Sequence, residues 1–345
     1  MLEQLELENF RNFNRGKWSL GRRVTVVGPN GSGKTSFLEA IRVLSVGKSF
    51  RSAREADLIR FNEQFFRLKG QINTVRGTKK VEYFHGAAHS LASFAQSQLL
   101  YEGRRTSYLK YIGTFPTTVF LPSDLDLVLG SPENRRRWLD GVMFQLERGF
   151  RLGHLELNKV LRERSAVLHL IKTNQADMAE LAPWNELLIN LSAQIRQKRR
   201  QLVEFIQSWI KRINLKGVSG ELELSYQEQA SDIERVIPQE IRLAQNLFGP
   251  HRDELVIKFG GKSSRRFASR GQARLITAAL KAAEAAFLAE KLAPVTVLLD
   301  DPFSELDSRS VKAAMELFTQ SNQLILTAIS AGLDGFEKIE LAKDA

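Results

Sequence analysis

Leu2, Leu5 and Leu7 are spaced among polar residues at the start of the chain, a pattern that predicts a strand with one face in water. Val24 to Val27 is a short apolar run that stops at Gly28 and reads as a buried strand. Phe37, Leu38, Ile41, Leu44 and Ser45 then recur on one side of a helical projection, which predicts a helix over 36–46. From about 65 to 120 the apolar runs are short and broken by turn residues such as Gly77-Thr78 and Glu102-Gly103. That pattern predicts a mixed, mostly antiparallel region.

The period changes to helical over 132–213. Ser131 stands where an N-cap is expected and Pro132 where the first helical turn begins. A break falls near Pro183, and Leu191, Ile195, Leu202, Ile206, Trp209 and Ile213 then share one helix face. The stretch is too short for a long coiled-coil arm. Strands return from about 220, an Ala-rich helix covers about 271–292, and the apolar run Val295 to Leu299 follows. No repeat and no linker interrupts the chain. The organisation predicted is α/β, with mixed sheets in a discontinuous lobe of residues 1–131 and 214–345. A smaller helical lobe, 132–213, is inserted into it.

Composition narrows the class. At 345 residues, 43% hydrophobic and 26% charged, the chain is an ordinary globular one of about two domains. It has no Cys, which excludes disulfides and thiolate metal sites, and its five His show no paired ligand spacing. Fifty Lys and Arg against 39 Asp and Glu leave a net charge of +11, suited to nucleic acid or another anionic surface. The opening segment carries Glu3, Glu6 and Glu8 and lacks the basic and apolar regions of a signal peptide. No apolar run approaches the ~18 residues of a membrane span. The expectation is a cytoplasmic protein without a membrane partner.

The chemistry begins at Gly28. Residues 28–35, GPNGSGKT, match the phosphate-loop pattern G-x-x-x-x-G-K-[ST] between a predicted strand and a predicted helix. Gly28, Gly31 and Gly33 allow the tight turn, and Pro29, Asn30 and Ser32 complete a loop whose N–H groups face phosphate oxygens. Lys34 is expected to reach the β- and γ-phosphates of ATP and Thr35 to set its hydroxyl on Mg²⁺, with Ser36 following in the first helical turn. A second element lies far along the chain, where the apolar run ends in Asp300 and Asp301. Asp300 is expected to hold Mg²⁺, and Asp301 to accept a proton from the attacking water. Lys34 and Asp300 are 266 positions apart, which points to an ABC-type ATPase head rather than a small GTPase or kinase. Between them, Ser269 and Gly271 open a helix without a Lys. In a dimer such a turn can cap the γ-phosphate of the other subunit's ATP.

With these motifs in place the chain resembles the RecF family of bacterial recombination proteins, among the ABC-type ATPases that also include the SMC proteins. The resemblance rests on LELENFRNF (5–13), GPNGSGKTSFLEAI (28–41), FLPSDLDLVLGSPENRRRWLD (120–140), GPHRDEL (249–255), SRGQAR (269–274) and LLDDPFSELD (298–307). It implies an ABC-type head with a helical lobe and no long coiled coil. It also implies ATP-dependent homodimerisation on duplex, gapped or junction DNA, in gap repair with RecO and RecR that leads to RecA loading. By resemblance Lys34, Thr35 and Asp300 bind phosphates and Mg²⁺, and Asp301 stands where other heads often have Glu. Ser269, Gly271 and Gln272 lie in the signature acting across the dimer, Ser304 to Asp307 in the D-loop, and Arg11 and Asn12 approach the nucleotide. The signature is ASRGQ rather than LSGGQ, Ala328 replaces a switch His, and no Gln stands in 119–124. Two competing readings are a transporter-type ATPase subunit, which would carry that Glu and His, and an ATP-binding DNA scaffold that scarcely hydrolyses.

Basic clusters at Arg104-Arg105, Arg135–Arg137, Lys198-Arg199-Arg200 and Arg265-Arg266 are candidates for phosphate-backbone contact. Arg104, Arg105, Lys198, Arg199 and Arg200 are taken as the DNA surface. Arg135–Arg137 competes as an internal contact, and His251-Arg252-Asp253 reads as a structural turn rather than a catalytic set.

Overall fold

The computed structural model describes residues 1–87, 96–213, 222–302, 308–328 and 334–342. The chain divides into two compact units, Met1–Asp124 with Thr277–Ala345, and Leu125–Ile276. The first unit opens with β1 (Leu2–Phe10), β2 (Phe13–Ser19), β3 (Arg23–Val27), α1 (Lys34–Val46) and β4 (Phe65–Thr74). It continues with β5 (Gly77–Gly86), β6 (Gln96–Tyr101), β7 (Arg104–Thr106), α2 (Tyr108–Tyr111) and β8 (Thr117–Phe120). The second unit holds α3 (Asp126–Leu129), α4 (Pro132–Leu146), α5 (Arg148–Lys172), α6 (Ala182–Arg212) and β9 (Leu222–Gln227). After them come α7 (Ile237–Leu243), β10 (Glu254–Phe259), β11 (Lys262–Ser263) and α8 (Ser264–Phe267). The division between units falls within α9 (Arg270–Leu292), and β12 (Thr296–Leu299), α10 (Ser308–Glu316), β13 (Gln323–Ala328) and β14 (Glu337–Glu340) belong to the first.

The first unit has two sheets. One is antiparallel, in the order β2-β1-β4-β5-β6-β7, and the other parallel, in the order β14-β3-β13-β12-β8. The alternation at the chain start sets the antiparallel face. Leu5 and Leu7 are buried, while Glu6 and Glu8 face out against Lys17 and Arg15 of β2. The central strands β13 and β12 of the parallel sheet are buried almost throughout and so read as apolar runs, Leu324 to Leu326 among them, whereas the edge strand β14 is largely exposed.

Helix α1 joins the two sheets. Phe37, Leu38, Ile41 and Leu44 share one core with Leu5, Phe10 and Leu68 of the antiparallel sheet and Leu298 and Ile325 of the parallel one. Each such side chain contributes about 1.5–3 kcal/mol through burial. The helix begins at Lys34, two residues before its apolar period, because the phosphate loop forms its first turn. It ends on Gly47, whose left-handed φ of 67° lets its N–H donate to the carbonyl of Val43 at 2.7 Å.

The second unit is wider than the helical block 132–213. It runs Leu125–Ile276 because the returning strands cover the helices, β9 on α6 and β10 on α4. Charge reinforces this closure: Asp253, fully buried, takes a bidentate pair from Arg196, at 2.8 and 3.0 Å, and a hydrogen bond from the Tyr226 hydroxyl. Helical periodicity marked α4 to α6 but does not show that β9 and β10, which follow them in the chain, finish the same core.

Candidate nucleotide-binding site

Strand order creates the site. In the parallel sheet β3, β13 and β12 are neighbours, so their carboxyl ends lie side by side. Those ends carry the phosphate loop, Thr327 and Asp300 respectively. Crevices outside such strand ends are where α/β sheets take ligands. A cavity of about 730 Å³ opens there, lined by the loop and by Arg11, Arg51, Asp57, Asp300 and Asp301 among others.

Gly31 and Gly33 take left-handed φ of 85° and 95°. A side chain on Gly33 would also collide with Asn12, 2.5 Å from the position of its Cβ, and Asn12 in turn donates to the carbonyl of Ser32. Lys34 Nζ donates to the carbonyls of Gly28 and Pro29, at 2.7 and 3.0 Å, which folds the ammonium over the loop. Ser32 Oγ is buried with no hydrogen-bond partner among the described residues. Asn30, Thr35 and Ser36 also line the cavity.

Thr35 Oγ1 donates toward both carboxylate oxygens of Asp300, at 3.1 and 2.9 Å, and Thr327 Oγ1 donates to one of them at 2.9 Å. Burial raises the Asp300 carboxyl above its ordinary range, and the two hydroxyls pull it back. Asp301 is half-buried at the cavity wall with φ of 44°, its N–H donating to Thr327 Oγ1 at 2.8 Å. A carboxylate and a hydroxyl facing one another form the hard oxygen donor set that Mg²⁺ takes, and the orphaned Ser32 hydroxyl and loop amides suit phosphate.

Arg11 lies at the cavity wall, and its fork is committed. Nε and Nη2 donate to Glu39 at 2.9 and 2.7 Å, and Nη1 donates to the carbonyl of Asp57 at 2.7 Å. Sequence reasoning missed Glu39, Arg51, Asp57 and Thr327. Glu39 did leave a signal, a carboxylate between Leu38 and Ile41 on the apolar side of α1.

Ser269, Gly271 and Gln272 belong to the second unit and are exposed at the start of α9. Ser269 Oγ accepts from the N–H of Gln272, and Gln272 Oε1 accepts from the N–H of Ser269, a reciprocal capping box. Ser304 to Asp307 lie outside the described residues.

The basic clusters separate. Arg104 and Arg105 are exposed on β7. Lys198 is paired with Glu147 at 2.8 Å, and Arg200 with Glu228. Arg199 corrects the expectation of a surface cation. Its side chain is 2% exposed, clamped bidentately by Asp140 and donating to the carbonyl of Pro250, so it holds α6 in the core and reaches no external phosphate. Arg135 pairs with Glu254 and Arg136 donates to the carbonyl of Asp253, both within the second unit. Arg252 donates to the carbonyl of Asn246, in keeping with a structural turn at 251–253.

A family model described as the RecF/RecN/SMC N terminal domain matches residues 1–338. The chain is 32% identical to the DNA replication and repair protein RecF of Moorella thermoacetica, over 96% of this chain and 90% of that protein. The chain belongs to the RecF family. A further RecF, from Leptospira interrogans, is 31% identical over 97% of this chain and 93% of its own length. A solved structure of the recombination mediator protein RecF-ATPrS in the RecFOR pathway matches with a TM-score of 0.88. Its identity is 26%, over all of this chain and 96% of that one. The Smc head domain of Pyrococcus furiosus, at 18% identity and a TM-score of 0.55, shares the fold. The RecF fold is thus the ABC-type head expected from the spacing of Lys34 and Asp300.

Proposed function

We propose that the chain is a DNA-binding ABC-type ATPase of recombinational gap repair. ATP binding drives a homodimer on duplex or junction DNA, and slow hydrolysis releases it, in support of RecA loading with RecO and RecR. The observation that carries this reading is the meeting of Thr35 and Asp300, two halves of a phosphate site from opposite ends of the chain, in a RecF-family fold. Similarity to RecF structures described with ATP and with ATPrS supports the nucleotide assignment.

Thr35 and Asp300 would hold Mg²⁺, which when bound neutralises phosphate charge. Lys34 then leaves the loop carbonyls for the β- and γ-phosphates, and the amides of 31–35 hold their oxygens in place. Asp301 takes the proton of the attacking water on a carboxylate oxygen. Ser269 and Gly271 act on the γ-phosphate held by a second copy. Among the described residues no helix is long and apolar enough to cross a membrane.

One observation favours a second reading, an ATP-binding scaffold with negligible turnover. Asp301 is one methylene shorter than Glu, and its backbone is tied to Thr327, which limits its reach. Single-turnover ATPase measurement with and without DNA tests the two. Slow, DNA-stimulated hydrolysis that is lost in Lys34→Ala supports the enzyme. Tight ATP binding without hydrolysis supports the scaffold, and unaltered ATP affinity in Lys34→Ala refutes both.

A further inference from the structure

Glu39 is fully buried on the core side of α1, yet it is not itself part of the cavity wall. A carboxylate in such a place is costly unless it is fully engaged. This one is engaged by groups that converge from two other segments. Arg11 holds both its oxygens, at 2.9 and 2.7 Å, and the Ser49 hydroxyl donates to one of them at 2.5 Å. Arg51 Nη1 stands 3.7 Å away.

The same Ser49 oxygen accepts the N–H groups of Arg51 and Ser52, at 2.8 and 2.9 Å. Ser52 bonds the carboxylate of Asp57, whose carbonyl takes the third arm of Arg11. The backbone of Arg11 closes the circuit, its N–H donating to the carbonyl of Leu58 at 2.8 Å. Arg11 itself sits at a left-handed φ of 55°, a conformation that needs such external support. Residues 49–58 and Arg11 are therefore fastened to one buried carboxylate. Three members of this circuit, Arg11, Arg51 and Asp57, line the cavity.

We propose that Glu39 is a positioning residue of the nucleotide site, which from beneath the cavity fixes Arg11 and the loop 49–57 and through them the guanidinium of Arg51. The inference rests on the ATP reading above. Glu39 touches no ligand. It sets the orientation of two cations at the mouth and offsets their mutual repulsion, so that the guanidinium of Arg51 is arranged before a polyphosphate arrives.

The test is a double-mutant cycle on the full chain, read as the dissociation constant for ATP with Mg²⁺ by titration calorimetry, with melting temperature followed in parallel. Glu39→Gln keeps the shape and removes the charge. It is expected to weaken ATP binding about tenfold, as is Arg51→Ala alone, the loss typical of one charge-assisted bond. If Glu39 acts through Arg51, the two effects do not add, and the double variant is weaker than either single one by less than about twofold. A Glu39 that acts independently of Arg51 gives a fully additive loss, about a hundredfold, and a merely structural Glu39 lowers the melting temperature without changing ATP affinity; either outcome overturns the proposal. Should Glu39→Gln not fold, Ser49→Ala enters the same cycle, because it cuts the loop from Glu39 at a half-buried position. A loss that disappears in the Arg51→Ala background supports the circuit, and no loss overturns it. A parent chain that fails to bind ATP refutes the nucleotide reading itself, whereas additive losses in an ATP-binding parent refute only the role of Glu39.

Discussion

Thr35 Oγ1 and the carboxylate of Asp300 are in hydrogen-bond contact, at 2.9 Å for the nearer oxygen, although 265 residues separate them in the chain. The contact exists because β3 and β12 flank β13 in one parallel sheet, so the phosphate loop and the acidic strand end leave from the same edge. Thr35→Val keeps the side-chain shape and removes the oxygen. ATP binding in the presence of Mg²⁺ should weaken about tenfold or more, from a lost charge-assisted bond of ~1.5–3 kcal/mol. Binding measured in excess chelator should change little. Equal losses under both conditions would remove Thr35 from the metal site.

Asp300 also predicts a pH dependence. Burial raises its carboxyl above the value it has in the unfolded chain, with Asp301 adding to the rise. The folded state therefore binds this proton more tightly than the unfolded state. That stabilising contribution is complete below the unfolded value and is lost as pH rises through the raised one. Without nucleotide, Asp300→Asn should melt above the parent at neutral pH, and the difference should shrink on acidification. With Mg²⁺ and ATP the order should invert, because the parent alone has the carboxylate to hold the cation. A variant that melts below the parent at neutral pH without nucleotide would show that the buried carboxylate is not a cost to the fold.

Much of this site is legible in the sequence because its chemistry is local. A loop of eight residues from Gly28 to Thr35 and an apolar run ending in two acids announce themselves without neighbours. What is not legible is assembled across the chain. Glu39 looks like a misplaced polar residue in an amphipathic helix until Arg11 and Ser49 are seen to reach it. Arg199 looks like the centre of a basic surface because Lys198 and Arg200 flank it. Helical spacing turns the middle residue inward, where Asp140 of α4 waits for it. The extent of the inserted unit escapes for the same reason, since β9 and β10 finish a core begun by α4 to α6.

Ser269 caps α9, and the proposed dimer would give it a second, separable role. Its hydroxyl accepts from the Gln272 N–H and caps α9, so Ser269→Ala should cost about 1 kcal/mol of stability, visible as a small drop in melting temperature. Dimerisation asks more of it. In the proposed dimer only the γ-phosphate would span the two heads, so ATP with Mg²⁺ should raise the mass measured by light scattering and ADP should not. Ser269→Arg should block that rise and leave ATP affinity of the monomer unchanged. A Ser269→Arg chain that still doubles its mass with ATP would restrict the residue to capping.

The last prediction concerns DNA and separates two cations that look alike in sequence. Arg104 and Arg105 are exposed at the edge strand β7, whereas Arg199 is buried against Asp140 and Tyr226. An exposed Arg that meets a phosphate releases a counterion on binding. On duplex DNA each such contact adds ~0.9 to the negative slope of log affinity against log salt. Arg104→Ala with Arg105→Ala should therefore weaken binding, flatten that slope by up to about 2, and leave the melting temperature unchanged. Arg199→Ala should do the reverse. Removing one partner of a buried ion pair costs about 3–5 kcal/mol, because Asp140 is left charged in the core. The surviving folded fraction should keep the parental salt slope. Fluorescence anisotropy on duplex and junction DNA across a salt series, with thermal melts of each variant, distinguishes the two. A flattened slope for Arg199→Ala at full stability would mean that α6 turns this side chain outward on DNA. An unchanged slope for the Arg104 and Arg105 variant would move the DNA surface away from β7.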